Sequence, residues 1–206
     1  MICGVYLEGY NFKQPVLVPG GLLYCVLFGG DDGNNEDEII ALDAQTLELC
    51  HRFGLGLLND AHQLAVGTNE LYVCDHGNHR LQVFSLTAEH RRSIIGEWRS
   101  PMRLCFAKDR LYLVERDYDN VNDNVDTVAL AMQARGQRVL VLSLQGDILQ
   151  VVRLTHPTEA STASTAEVRS ICCFDNIKLL ARYVYLTFDS AGTRKERYGV
   201  LVLQGL

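Results

Sequence analysis

Leu71-Tyr72-Val73-Cys74-Asp75-His76-Gly77-Asn78-His79-Arg80-Leu81-Gln82-Val83-Phe84 consists of two short apolar runs separated by a polar turn. Runs of this length, rich in Val, Leu, Tyr and Phe and bounded by Gly and Asn, are the signature of a β-hairpin. Gly77 and Asn78 are turn formers that tolerate φ > 0. Asp75 closes the first strand and Arg80 opens the second, so the spacing predicts an ion pair across the hairpin. Cys74, His76 and His79 have metal-ligating side chains in a C-x-H-x-x-H spacing. A structural zinc would want a fourth ligand, and none stands nearby in sequence, so the turn accounts for the motif without a metal.

The pattern recurs outward from this stretch. Second runs with a central Tyr occur at Leu23-Tyr24-Cys25-Val26, Leu71-Tyr72-Val73-Cys74, Leu111-Tyr112-Leu113-Val114 and Val184-Tyr185-Leu186-Thr187. A third run follows each, starting near Glu38, Arg80, Arg138 and Tyr198, and the first three units add a fourth. The step from Val16–Val18 to Leu64–Val66 equals that from Tyr24 to Tyr72, and the step from Ile39 to Leu81 equals that from Gly54 to Gly96. The runs hold register while insertions fall in loops. Four antiparallel strands repeating at about 40 residues make a propeller blade, which buries its faces by stacking on neighbouring blades. The blade units are expected at 15–54, 63–96, 103–154 and 169–206, within a single domain 1–206.

Leu64 to Gly96, with its Asp75-x-Gly77-Asn78-His79-Arg80 core, resembles the NHL-repeat propeller family. The other units share only the strand pattern and the Tyr. The resemblance implies an all-β fold of about four four-stranded antiparallel NHL-type blades. The fourth unit runs out after its third strand. The strand-like Ile2–Leu7 would complete it in a closed four-bladed ring; the other arrangement is an open arc of a larger propeller, prone to self-association. The third unit carries an insertion, Arg116 to Gln137, whose second half (Asp126 to Gly136) reads as a short helix.

The chain has 206 residues with 48% hydrophobic and 21% charged, ordinary values for a chain that buries a core. Its net charge of −6 speaks against nucleic acid as the main partner. It has no run long enough to span a membrane, and Met1–Tyr10 lacks the basic start of a signal peptide. The seven cysteines are odd in number, form no CxxC pair and mostly sit in apolar runs, as expected of reduced core residues in a cytoplasmic protein.

In a blade, the loops from second to third strand share a face with the interblade loops. That face collects Asp31, Asp32, Asp37 and Glu38 from the first unit and Asp117, Asp119 and Asp123 from the third. The opposite face is weakly basic, with Arg91 and Arg92. An acidic face attracts a basic peptide or surface. Trp98 and Arg99, in an interblade loop on the acidic side, are residue types that anchor interfaces, although Trp98 packed between blades is the competing reading.

There is no GxSxG, HExxH or Gly-rich phosphate loop, and neither Asp31–Glu38 nor Asp117–Asp126 has the glycine at position six of an EF-hand calcium loop. The expectation is therefore a non-catalytic protein-interaction scaffold, as the family resemblance implies, without cofactor or metal. Two alternatives stand beside it. One is a metal-dependent propeller hydrolase or lactonase, for which Asn59, Asp60 and His62 precede an innermost strand, although the third unit has Ser100-Pro101-Met102 there. The other is an RNA-binding module on the Arg91–Arg92 side.

Overall fold

The computed structural model describes residues 12–27, 37–116, 135–153, 165–174, 178–188 and 194–204. Among these described residues, fifteen strands follow one another. The first sheet is β1 (Phe12–Val18), β2 (Leu22–Leu27), β3 (Asp37–Asp43) and β4 (Leu49–Leu58). The second is β5 (Ala61–Val66), β6 (Glu70–Asp75), β7 (Arg80–Ser85) and β8 (His90–Ile94). The third is β9 (Pro101–Ala107), β10 (Arg110–Arg116), β11 (Arg135–Leu142) and β12 (Ile148–Arg153). Three strands, β13 (Thr165–Phe174), β14 (Lys178–Phe188) and β15 (Arg194–Gln204), make the fourth. Within every sheet the strands are hydrogen-bonded in sequence order and each pair is antiparallel.

Each sequence repeat thus becomes one meander, and the second run of each repeat is the second strand of its sheet. The first strands begin two to four residues earlier than the repeat boundaries set by sequence. β4 continues past Gly54 to Leu58 because Gly54 and Gly56 adopt φ of 84° and 73°, which absorb the register shift between Asp37 and Ile39. Residues 126–134 of the expected helix lie outside the described residues, as does 1–8. Arg135 and Gly136, expected at the helix end, open β11 instead.

The chain divides into two compact units, Met1–Ile94 and Ile95–Leu206. In the first unit the core lies between the first and second sheets. Strand alternation sends Tyr24, Val26, Ile39 and Ala41 to one side of the first sheet, where they meet Ala61, Leu64, Leu71, Val73 and Phe84. Phe53 joins them, edge-on to Tyr24 at 5.2 Å and to Phe84 at 5.3 Å. The Tyr24 hydroxyl donates to the Leu86 carbonyl 2.9 Å away, so the polar tip of the repeat tyrosine is satisfied inside the core. The other side of the first sheet carries a second cluster of Cys25, Leu27, Ile40 and Leu42. In the second unit, Cys105, Ala107, Tyr112, Val114, Val139 and Val141 pack with Ile171 of β13.

Cys25, Cys74 and Cys105 are buried free thiols, as the apolar runs imply; Cys50 is exposed on β4. Burial pushes the Cys25 thiol up to about 11. No helix among the described residues is long and apolar enough to cross a membrane.

Candidate functional site

The β6–β7 turn is built around Asp75. This residue is fully buried at the end of β6, opposite Arg80 at the start of β7. One carboxylate oxygen accepts the backbone N–H of Asn59 at 2.8 Å, and the other accepts Arg80 Nε at 2.7 Å. Asn78 Nδ2 donates to both oxygens at 3.0 Å, and Gln82 Nε2 adds a bond at 3.3 Å. Arg80 also donates to the Leu57 carbonyl at 3.0 Å. A buried carboxylate is tolerated only when its lone pairs are filled in this way. The expected Asp75–Arg80 pair is present, and its larger effect is to tie the hairpin to the chain entering β5.

Gly77 works differently from the sequence expectation. It is not among the residues at positive φ; the left-handed residue of the turn is His79, at φ 54° and ψ 37°. His76–Asn78 form a single 3-10 turn, and glycine is needed at 77 because Asn59 lies against it. A Cβ there would stand 2.7 Å from the Asn59 side chain and 3.0 Å from its carbonyl oxygen. That carbonyl accepts the Gly77 N–H at 2.9 Å. Asn59 is thus clamped from both directions, its N–H by Asp75 and its C=O by Gly77.

The clamp brings together two groups of residues that are far apart in sequence. Asp60 lies beside His76, with Oδ2 3.0 Å from Nδ1, and beside His62, with Oδ1 3.4 Å from Nε2. The two imidazoles pack edge to face with centroids 4.7 Å apart. Both rings are largely buried, while the Asp60 side chain is 48% exposed. Cys74 and His79, which share the C-x-H-x-x-H spacing with His76, are placed otherwise: Cys74 is buried in β6 and His79 is exposed. Sequence reading put Asp60 and His62 in one candidate set and His76 in another. Only the docking of the turn on Asn59 unites them.

The acidic surface is redistributed. Asp37 is buried, 4% exposed, and its Oδ2 accepts the Ala61 N–H at 2.5 Å. Glu38 is paired with Arg52. Asp37 is therefore not a surface charge, which corrects the expectation for it. Asp31, Asp32, Asp117, Asp119 and Asp123 lie outside the described residues. Trp98 is 2% exposed, so it is a packing residue and not a surface anchor. Its ring covers Gly96, where a Cβ would fall 1.8 Å from Cζ3. Arg99 is exposed, and its backbone N–H donates to Glu115 Oε2 at 3.2 Å. Arg91 and Arg92, the candidate basic surface, both reach Glu70. Arg92 grips it with two nitrogens, Nη2 at 2.9 Å, and Arg91 Nη1 stands at 3.3 Å. The Arg92 hydrogen bonds, aided by the Tyr72 hydroxyl and Arg91, hold the Glu70 carboxyl down to about 2.

Glu115 is a functional counterpart that sequence reading missed. It stands one residue before the end of β10 where Asp75 ends β6, faces Pro101 as Asp75 faces Ala61, and accepts the N–H of the residue two before the first strand, as Asp75 does. The spacing from Asn59 to Asp75 and from Arg99 to Glu115 is the same. That identity was the available signal.

Comparison with known proteins agrees with this geometry. Residues 58–84 match the family model of the NHL repeat. A search of curated protein sequences gave no match. Solved propeller structures share the fold. The hydrazine synthase of Kuenenia stuttgartiensis superposes with a TM-score of 0.54 at 14% identity, over 95% of this chain and 53% of that one. The RRP9 WD40 repeats give 0.54 at 10% identity, over 94% and 53%. The glutaminyl cyclase of Myxococcus xanthus gives 0.56 at 14% identity, over 89% and 67%. The chain spans about half the length of the first two. It carries an NHL repeat in its second blade and has a β-propeller fold.

Proposed function

We propose that this chain is a non-catalytic propeller module that binds another protein through the connections between second and third strands. One observation carries the reading. The β6–β7 connection is a tight turn whose charges are consumed by Asp75, whereas the same connection in the first and third blades is replaced by residues 28–36 and 117–134. Those segments contain Asp31, Asp32, Asp117, Asp119 and Asp123. A constant frame with variable, charged connections is the arrangement in which loops carry recognition. Acidic connections suit a basic peptide or a basic protein surface. Buried reduced thiols suit a reducing, cytoplasmic setting. The RNA-binding reading is disfavoured, because Glu70 offsets part of the positive charge of Arg91 and Arg92.

The test compares the wild-type chain with a variant in which Asp31, Asp32, Asp117, Asp119 and Asp123 are all replaced by Asn. Proteins retained from cytosol are quantified at rising salt. Wild type is expected to retain a basic partner that is shed toward about 0.15 M salt, where the Debye length is about 8 Å. The variant is expected to retain little of it at any salt. Equal retention by both would refute the reading.

A further inference from the structure

We propose that Asp60, His62 and His76 form a three-ligand site for a first-row divalent metal ion of the zinc type, with its fourth position open to solvent. The site lies within the second blade and is independent of the protein-binding reading.

Geometry is the first argument. The candidate ligand atoms all lie within 4.8 Å of one another. A tetrahedral zinc with bonds near 2.0–2.1 Å sets its ligand atoms about 3.3–3.4 Å apart. The Asp60 oxygens stand 3.4 Å from His62 Nε2 and 3.0 Å from His76 Nδ1, close to that edge before any adjustment. The two imidazoles converge on one carboxylate. A divalent cation between the three groups lets both rings stay neutral and donate lone pairs.

Donor chemistry sets the class of ion. Two imidazole nitrogens and one carboxylate suit zinc, cobalt, nickel or copper; calcium and magnesium prefer all-oxygen shells. The rings are held by largely buried positions, while Asp60 faces solvent. An ion can therefore enter from the Asp60 side, and the remaining position would take water or a donor atom from a bound partner.

The third blade supplies an internal control. The Arg99–Glu115 clamp repeats the Asn59–Asp75 clamp, and Ser100 adopts φ 45° where Asp60 adopts 46°. The backbone entering the first strand is thus repeated in the third blade, where Ser100 and Met102 occupy the places of Asp60 and His62, while Arg116, at the place of His76, lies in strand β10 and not in a turn. That strand entry does not require Asp60 and His62, so their meeting with His76 in the second blade calls for another explanation.

The experiment is a titration of the tag-free chain with Zn(II) against a chromophoric chelator, alongside Co(II) followed by its visible ligand-field spectrum. One equivalent of each ion is expected, with the intense bands of four-coordinate cobalt, and no competition from Ca(II). Asp60→Asn and His62→Gln should each weaken zinc binding by at least about 10-fold. His79→Gln should leave it unchanged. Asp60 is exposed and Asn accepts positive φ, so Asp60→Asn keeps the test meaningful if a histidine variant fails to fold. Absence of stoichiometric binding by wild type would overturn the proposal. So would equal affinity in wild type, Asp60→Asn and His62→Gln, which would place the ion elsewhere, or comparable affinity for calcium.

Discussion

Gly77 and Asp75 show how much of the second blade depends on single atoms. Adding side-chain carbons at 77 drives them into Asn59, whose carbonyl is also the acceptor of the Gly77 N–H. Gly77→Val is expected to cost roughly 1–3 kcal/mol, through overpacking and not through backbone strain. Urea denaturation of the variant measures it, and an unchanged midpoint would disprove the close approach. Gly77→Ala should be milder but still destabilising, because even its single Cβ stands inside 3 Å of Asn59. The turn itself was legible in the sequence, since Gly-Asn between two apolar runs allows little else. The reason for the glycine was not, because Asn59 is remote in sequence and only the docked fold brings it near. The left-handed conformation fell on His79 for the same reason: the turn winds as one 3-10 turn and reverses only after it.

At the scale of elements, the strand pattern carries the fold because the inner runs of the first sheet alternate between two buried clusters. Tyr24 and Val26 serve one cluster, Cys25 and Leu27 the other. What the pattern leaves open is which charges act as connectors. Asp37, Asp75 and Glu115 look like surface acids in a sequence, yet each is buried against the backbone N–H of a residue at or just before a first strand. The equal spacing of Asn59–Asp75 and Arg99–Glu115 is the legible trace of that role. Trp98 carries the same lesson. Its position before β9 resembles an exposed anchor, but the ring is buried over Gly96 and its Nε1 has no hydrogen-bond partner among the described residues. Trp98→Ala should therefore cost about 3–5 kcal/mol, whereas Trp98→Phe, which removes the unpaired N–H, should cost much less. Fluorescence of this one tryptophan, followed through denaturation, reports both the burial and its loss.

Strands β6 and β8 are joined at their far end by the Glu70–Arg92 pair. The Glu70 carboxyl is held down to about 2 in the fold, below its ordinary unfolded value. A lowered folded value stabilises the native state above the unfolded pKa and loses that contribution as pH falls through the folded one. Wild type should exceed Glu70→Gln in stability by about 1 kcal/mol at neutral pH, because the partly exposed arginines are screened by solvent. The gap should close between about pH 4.5 and pH 2. Paired denaturation curves at pH 7 and at the acid end check the sign, and a gap that widens in acid would contradict it.

For the whole molecule, the proposed function assigns different work to the same loop in different blades. In the second blade the connection is short and its charges hold the sheet to the incoming chain. In the first and third it is replaced by acidic segments that the repeat does not require. The proposed function thus divides the charges into those that hold the fold and those left for a partner. Thermal unfolding of two variants beside wild type tests it most directly: Asp75→Ala, and the variant with Asp31, Asp32, Asp117, Asp119 and Asp123 changed to Asn. Removing Asp75 strands the Asn59 N–H and the Arg80 guanidinium, a loss of about 2–4 kcal/mol, or roughly 5–15 °C for a chain of this size. The neutralised variant is expected to melt within about 2 °C of wild type, since charges in loop segments usually change stability by less than about 0.5 kcal/mol each, in either direction. An Asp75→Ala chain that melts with wild type, or a neutralised chain that melts well below it, would contradict the division.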